Sequence, residues 1–282
     1  MIEGFSYMCE NSNRKKEEFI FDPSDFENKD SFVDCSLRKK EYECSVFSML
    51  PFSHTVEAEA LGAKVILKGK KDTPKVKDPV CKTLEEILLL PPIDYQNGRI
   101  KEIILACRIL KEKGECVLYE LSGPFTILSS LIDLTIVFRA VRKDREKLLL
   151  VYKKLEEELL IFSRILIEEG AGAISYADPA VAAEIIGEKT AIEVMEQYTY
   201  PFLKTLSKEV NKRALLILCP KLSSLLFKMG KAKYEEILCE EKMTYGEACK
   251  KMIGRAEFAG MMCIHNEQVR LQNQTMKIMS LI

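Results

Sequence analysis

The chain has 282 residues, 47% of them hydrophobic, with 42 basic and 43 acidic side chains and a formal charge of -1. That is enough apolar material for a domain of barrel size and too much for a disordered chain. Balanced, well-mixed charge supplies no long-range field to hold nucleic acid or an anionic membrane, and no apolar run approaches the ~20 residues of a membrane helix, so neither partner is expected. No N-terminal stretch joins a basic start to an apolar core and a small-residue cleavage site, which points to a soluble, cytoplasmic protein. In that setting the ten cysteines are expected as thiols or metal ligands rather than disulfides, although no C-x-x-C pair marks a metal site by spacing alone.

Residues 1–43, rich in charge and in Asn, Ser and Asp, are expected to form an N-terminal extension or cap, with the domain proper at 44–282. Residues 44–52 (CSVFSMLPF) read as a strand, and 55–61 (TVEAEAL) as a short helix capped by Thr55 and stopped by Gly62. A short extended run follows at 63–67, then an exposed Lys, Asp and Pro loop at 68–79. Two helical patterns, 82–90 and 98–113, are separated by Pro91 and Pro92. Residues 115–121 (ECVLYEL) are a strand, and Ser122-Gly123-Pro124 is a turn that opens the next helix, with proline where a missing N–H costs little. A long amphipathic helix is predicted over 144–169, its apolar positions Leu148, Tyr152, Leu155, Leu159, Phe162 and Leu166 at three- and four-residue spacing. Residues 173–176 form the next strand, Ala177-Asp178-Pro179 the loop at its end, and 190–212 a helix broken or kinked at Pro201.

Three later segments close on a cysteine. RALLILCP at 213–220 is a short buried strand that delivers Cys219 to its C-terminal end and is stopped by proline. YEEILC at 234–239 and AEFAGMMC at 256–263 repeat the arrangement, and His265 follows Cys263 by two positions. Residues 264–282 read as a closing helix with Val269, Leu271, Met276 and Met279 on its apolar side. The alternation implies an α/β fold, a mostly parallel sheet with helices outside it. About six core strands can be placed, so a (β/α)8 barrel would look short at its C-terminal end. Barrel enzymes put their chemistry where strand C-termini converge, which makes Cys219, Cys263 and His265, with Cys239 as a further thiol, the candidate metal-binding set.

PFSHTVEAEALGAKV at 51–65, TPKVKDP at 73–79, SGPFT at 122–126, EEGAGAISYADPA at 168–180 and YPFLK at 200–204 resemble the uroporphyrinogen decarboxylase superfamily, in the family's own order. The likeness covers roughly 45–265 and is greatest to the methylcobalamin:coenzyme M methyltransferase branch. It implies a TIM (β/α)8-type barrel. For that branch it also implies zinc held by a His-x-Cys pair and a later cysteine, a small thiol as methyl acceptor, and methylcobalamin carried by a partner corrinoid protein. In this chain the His-x-Cys slot is Ile217-Leu218-Cys219, with the cysteine present and isoleucine where the pattern has histidine. Cys263 and His265 could complete a ligand set from a neighbouring strand end. The decarboxylase branch fits less well: no arginine-rich segment occurs in residues 1–43, Ser53 occupies the slot of its key aspartate, and Ser130 that of its tyrosine. Ser53 and Asp178 are the candidate cofactor contacts.

Plainer readings stand beside these. Cysteine packs as a small buried hydrophobe, His54 beside a helix start reads as a rim or capping residue, and Asp178-Pro179 is also an ordinary turn. Two functions therefore remain open at this level. One is a zinc-assisted, corrinoid-linked methyltransferase. The other is a catalytically degenerate paralogue that binds a partner or forms a homo-oligomer through exposed strand edges.

Overall fold

The structure, a computed structural model, describes residues 19–67 and 72–282. The first helix, α1 (Lys29–Glu43), is capped by Asn28, whose side chain accepts from the Asp30 and Ser31 amides. It buries Phe32, Val33 and Cys35 in the main core, so residues 29–43 belong to the domain's packing, while residues 1–18 of the expected extension lie outside the described residues. There follow β1 (Ser48–Leu50), α2 (Val56–Ala60), the small antiparallel pair β2 (Val65–Ile66) and β3 (Lys75–Val76), α3 (Leu84–Leu88) and α4 (Gly98–Glu112). β2 lies in the extended run expected at 63–67, and β3 replaces part of the predicted 68–79 loop, of which 68–71 lie outside the described residues. Thr55 makes no capping bond to α2; its hydroxyl accepts from Arg99 instead (2.7 Å).

Next come β4 (Val117–Ser122), α5 (Pro124–Leu131), α6 (Leu134–Lys143), α7 (Arg145–Glu168) and β5 (Ala171–Ala177). After β5 the chain makes a short helix, α8 (Ala183–Ile186), then α9 (Glu188–Val194). A single π-helical turn, Met195–Thr199, joins α9 to α10 (Tyr200–Val210), absorbing Pro201 where a break was expected. The chain ends with β6 (Leu215–Leu218), α11 (Pro220–Lys228), β7 (Ala232–Leu238), α12 (Tyr245–Met252), β8 (Phe258–Ala259) and β9 (Thr275–Leu281).

One seven-stranded sheet runs in the order β1-β4-β5-β6-β8-β9-β7. The first five strands in that order are parallel neighbours, whereas β9 pairs antiparallel with both β8 and β7. Two expectations are corrected here. Residues 264–282 are two 3-10 turns and a strand rather than a helix, and the segment 234–239 lies in an antiparallel outer strand rather than a parallel core strand. Among the described residues β1 and β7 each have one neighbour in the sheet, so the barrel expected to look short at its C-terminal end is seen as a mainly parallel α/β sheet without closure.

Successive side chains of a strand face opposite sides, and β6 shows what covers each. Leu216 and Leu218 join the larger cluster under the outer helices, with Phe125, Phe162 and Phe202. Leu215 and Ile217 join a smaller cluster made with Met49, Leu118, Ala173 and Ala259 of the other strands and with Tyr245, Ala248, Cys249 and Met252 of α12. The face that would line a barrel's interior is thus filled by α12 and the C-terminal segment. Among the described residues no helix is long and apolar enough to cross a membrane.

Candidate functional site

A cleft of about 450 Å³ opens at the C-terminal ends of the parallel strands. Each strand contributes there: Glu120 from β4, Ser175 and Ala177 from β5 with Asp178 just beyond, Leu218 and Cys219 from the end of β6, and Cys263 and His265 after β8. His54, between β1 and α2, completes the wall. The chain contains two histidines, and both line this cleft.

The predicted residues separate clearly. Cys219, Cys263, His265 and Asp178 are brought together, in partial exposure except for the buried Asp178. Cys239 lies elsewhere, buried in a separate cleft with Met243, Met252 and Arg255, and Ser53 is not in the main wall but bonds Thr55 (3.0 Å). Two lining residues had no such expectation. His54, expected as a rim or capping residue, stands in the cleft wall with its Nδ1 3.2 Å from the Ser122 hydroxyl. Glu120 was hidden within a strand; the available signal was a carboxylate in the otherwise apolar run VLYELS, which a parallel strand does not bury without a partner.

That partner is His265, whose Nε2 lies 2.8 Å from Glu120 Oε1. Burial alone would push the Glu120 carboxyl up, but the imidazole's charge and hydrogen bond outweigh it, helped by His54 and Lys39, and hold it down at about 2. Behind it, Glu57 is fully buried on α2, accepting from the Tyr119 hydroxyl (3.1 Å) and the Ser122 amide (3.4 Å), with its second oxygen unpartnered; burial raises its pKa.

Asp178 is engaged differently. Its carboxylate accepts from the Phe125 amide (3.1 Å), the Thr126 amide (2.7 Å) and the Thr126 hydroxyl (2.6 Å), so it caps the start of α5 from another part of the chain. Burial nevertheless pushes it up to about 6, against those hydrogen bonds. Gly123 makes the contact possible, since a Cβ there would stand 2.4 Å from Asp178 Cβ, Cγ and Oδ2. Gly123→Ala should therefore cost about 1–3 kcal/mol as an overpacking change, read as a lower urea midpoint at unchanged slope.

At the mouth, Lys221 pairs with Glu184 (3.4 Å) and Lys228 with Glu188, linking α11 to the α8–α9 segment. As exposed pairs they add little stability. The described cysteines form no disulfide.

The donors suit zinc in kind: two thiols and an imidazole whose other nitrogen is held by a carboxylate, the usual support for a metal-binding histidine. Among the described residues, however, no three His, Cys, Asp or Glu side chains converge as a ready metal site. Ile217, in the histidine slot of the resemblance, is buried on the α12 side of the sheet.

Comparison with known proteins agrees with this architecture. The uroporphyrinogen decarboxylase (URO-D) family model matches residues 45–272. The methylcobamide:CoM methyltransferase MtaA of Methanosarcina barkeri is 27% identical over 217 residues, covering 75% of this chain and 62% of its own length. MtbA of Methanosarcina acetivorans, also a methylcobamide:CoM methyltransferase, is 26% identical over 200 residues, 69% of this chain and 58% of its own. A solved methyltransferase from Methanosarcina mazei superposes with a TM-score of 0.63 at 22% identity, covering 73% of this chain and 61% of that one, and so shares the fold. This chain thus spans about three fifths of the length of these relatives. With the family model matched across residues 45–272 and the strand-end cleft in place, the chain belongs to the uroporphyrinogen decarboxylase (URO-D) family.

Proposed function

We propose that the cleft transfers a methyl group between a corrinoid carried by a partner protein and a small thiol or related acceptor. The observation that carries this reading is the meeting of both histidines with Cys219 and Cys263 in one cleft at the strand C-termini. In the direction of thiol methylation, the acceptor sulfur attacks the methyl carbon, the C–S bond forms, and the Co–C bond breaks with its electron pair left on cobalt. Cys219, Cys263 and His265 line the cleft without converging in this structure and would have to draw together to hold zinc, which would supply a deprotonated, positioned thiol. The chain's own contributions are orientation and proton handling. Glu120 fixes the His265 ring through Nε2, and His54, held at Nδ1 by Ser122, can take at its other nitrogen the proton the acceptor gives up.

Protein purified without chelator should contain zinc by elemental analysis. Cys219→Ser should lower zinc retention and methyl transfer from methylcobalamin to 2-mercaptoethanesulfonate by about 10- to 100-fold. Zinc-free wild type, or a variant that keeps its zinc, would remove the metal-assisted reading. Ile217 in the histidine slot favours one alternative, a corrinoid-protein-binding subunit without activity. That version predicts binding with neither zinc nor turnover.

A further inference from the structure

The cleft has a neighbour. A second one, of about 430 Å³, is lined by Phe138, Arg139, Arg142 and Lys143 of α6, by Ile185 and Ile186 of α8, and by Thr190. Ile185 lines both clefts, so the short α8 segment is a shared wall between them. Arg139, Arg142, Lys143 and the following Arg145 are all exposed. Among the described residues no carboxylate comes within the 4.0 Å of an ion pair with any of the four. The nearby lysines behave otherwise: Lys221, Lys228 and Lys231 are matched to Glu184, Glu188 and Glu196, and Lys147 to Glu85 and Asp144.

In a chain whose net charge is -1, four unmatched cations together form a local positive patch. Apolar side chains accompany it. Ile185 is 64% exposed on the shared wall, and Phe138 and Ile186 line the same cleft as the arginines. Exposed apolar anchors beside unpaired arginines are the composition of a protein-recognition surface. Arg142 is already oriented, donating to the Thr190 hydroxyl at 3.4 Å.

Resting on the proposed methyl transfer, we infer that this patch is where the corrinoid-carrying protein docks, through an acidic face that meets Arg139, Arg142, Lys143 and Arg145 while Ile185 is covered. A carrier docked there stands beside the cleft that holds Cys219 and His265, and its corrinoid would reach over α8 into that cleft's mouth, where the methyl carbon can meet the acceptor sulfur directly.

The test uses the full chain and a methylated corrinoid-carrying protein from the organism that encodes this chain. Binding is measured by sedimentation or calorimetry at low and high salt, for wild type and for R139E/R142E/K143E. Wild type should bind, with affinity falling about tenfold or more at high salt, and the charge reversal should lose binding by a similar factor or more. Equal affinity of the two proteins, or no binding by wild type, overturns the assignment. Methyl transfer from free methylcobalamin should be the same in both proteins. An equal loss with the free cofactor would show that the patch reads the corrinoid rather than its carrier, which also overturns it. Failure of wild type to use free methylcobalamin while the salt-sensitive binding difference persists would remove the proposed chemistry and leave the docking surface standing.

Discussion

Asp178→Ala should lower folding stability at pH 7 by about 3–5 kcal/mol, because each buried donor left without an acceptor costs about 1–3 kcal/mol and the site can relax only partly. Three donors are at stake, the amides of Phe125 and Thr126 and the Thr126 hydroxyl, in residues no more than 7% exposed. The variant should also change the response to pH. A carboxyl whose folded-state pKa stands at about 6, above its ordinary 3.8, takes up a proton more readily in the folded protein than in the unfolded one. The part of its contribution that depends on protonation is therefore complete below about pH 4 and is lost as the pH rises through about 6, leaving the hydrogen-bonded part at pH 7. The difference between wild type and Asp178→Ala should accordingly be larger at pH 4 than at pH 7. Urea titrations at the two pH values measure it, and a loss below about 1 kcal/mol at both would show that the carboxylate does not hold α5.

Phe162→Ala is expected to be as severe, about 3–5 kcal/mol. The ring is fully buried on α7, edge-on to Tyr119 at 5.1 Å between centroids and stacked on Tyr95 at 5.7 Å. Removing it opens a cavity between the long helix and β4, the strand that carries Glu120 and Ser122 to the cleft. Both neighbouring tyrosines are tied elsewhere, Tyr119 to Glu57 and Tyr95 to the backbone carbonyl and the carboxylate of Glu158, so they cannot swing in to fill it. Chemical unfolding should show the lower midpoint. Phe162→Leu, which keeps most of the volume, should recover much of the loss.

What could be read from the residues in advance followed their dependence on local interactions. The long helix was expected over 144–169 and spans Arg145–Glu168, because its apolar stripe and flanking glycines are written within the segment. RALLILCP contained Leu215–Leu218 for the same reason. The end of the chain was misread because Met276 and Met279, three apart, would share one face of a helix, whereas in the strand they take opposite faces, Met276 joining the smaller cluster and Met279 the larger. The strand state is decided by pairing with β7, some forty residues earlier, where Met279 lies opposite Tyr234 and Met276 opposite Ile237. Cys219, Cys263 and His265 were expected together at strand ends and do line one cleft, whereas Cys239, expected on the same ground, lines another. Glu120 and His54 were not among them, because their importance comes from the neighbours that folding supplies, His265 for one and Ser122 for the other.

The two apolar clusters on opposite faces of the sheet give the cleft two separate anchorages. Cys219 and Asp178 follow strands held mainly by the outer helices of the larger cluster, whereas Cys263 and His265 ride on a stretch held largely by α12 through the smaller one, with Phe258 and Met279 tying it to the larger. The side that carries Cys263 and His265 should therefore open more readily than the side that carries Cys219 and Asp178. Amide exchange in 239–282 should then proceed through an opening cheaper than global unfolding, and assembly of the full side-chain set becomes an equilibrium that a ligand bridging both halves would pull toward closure.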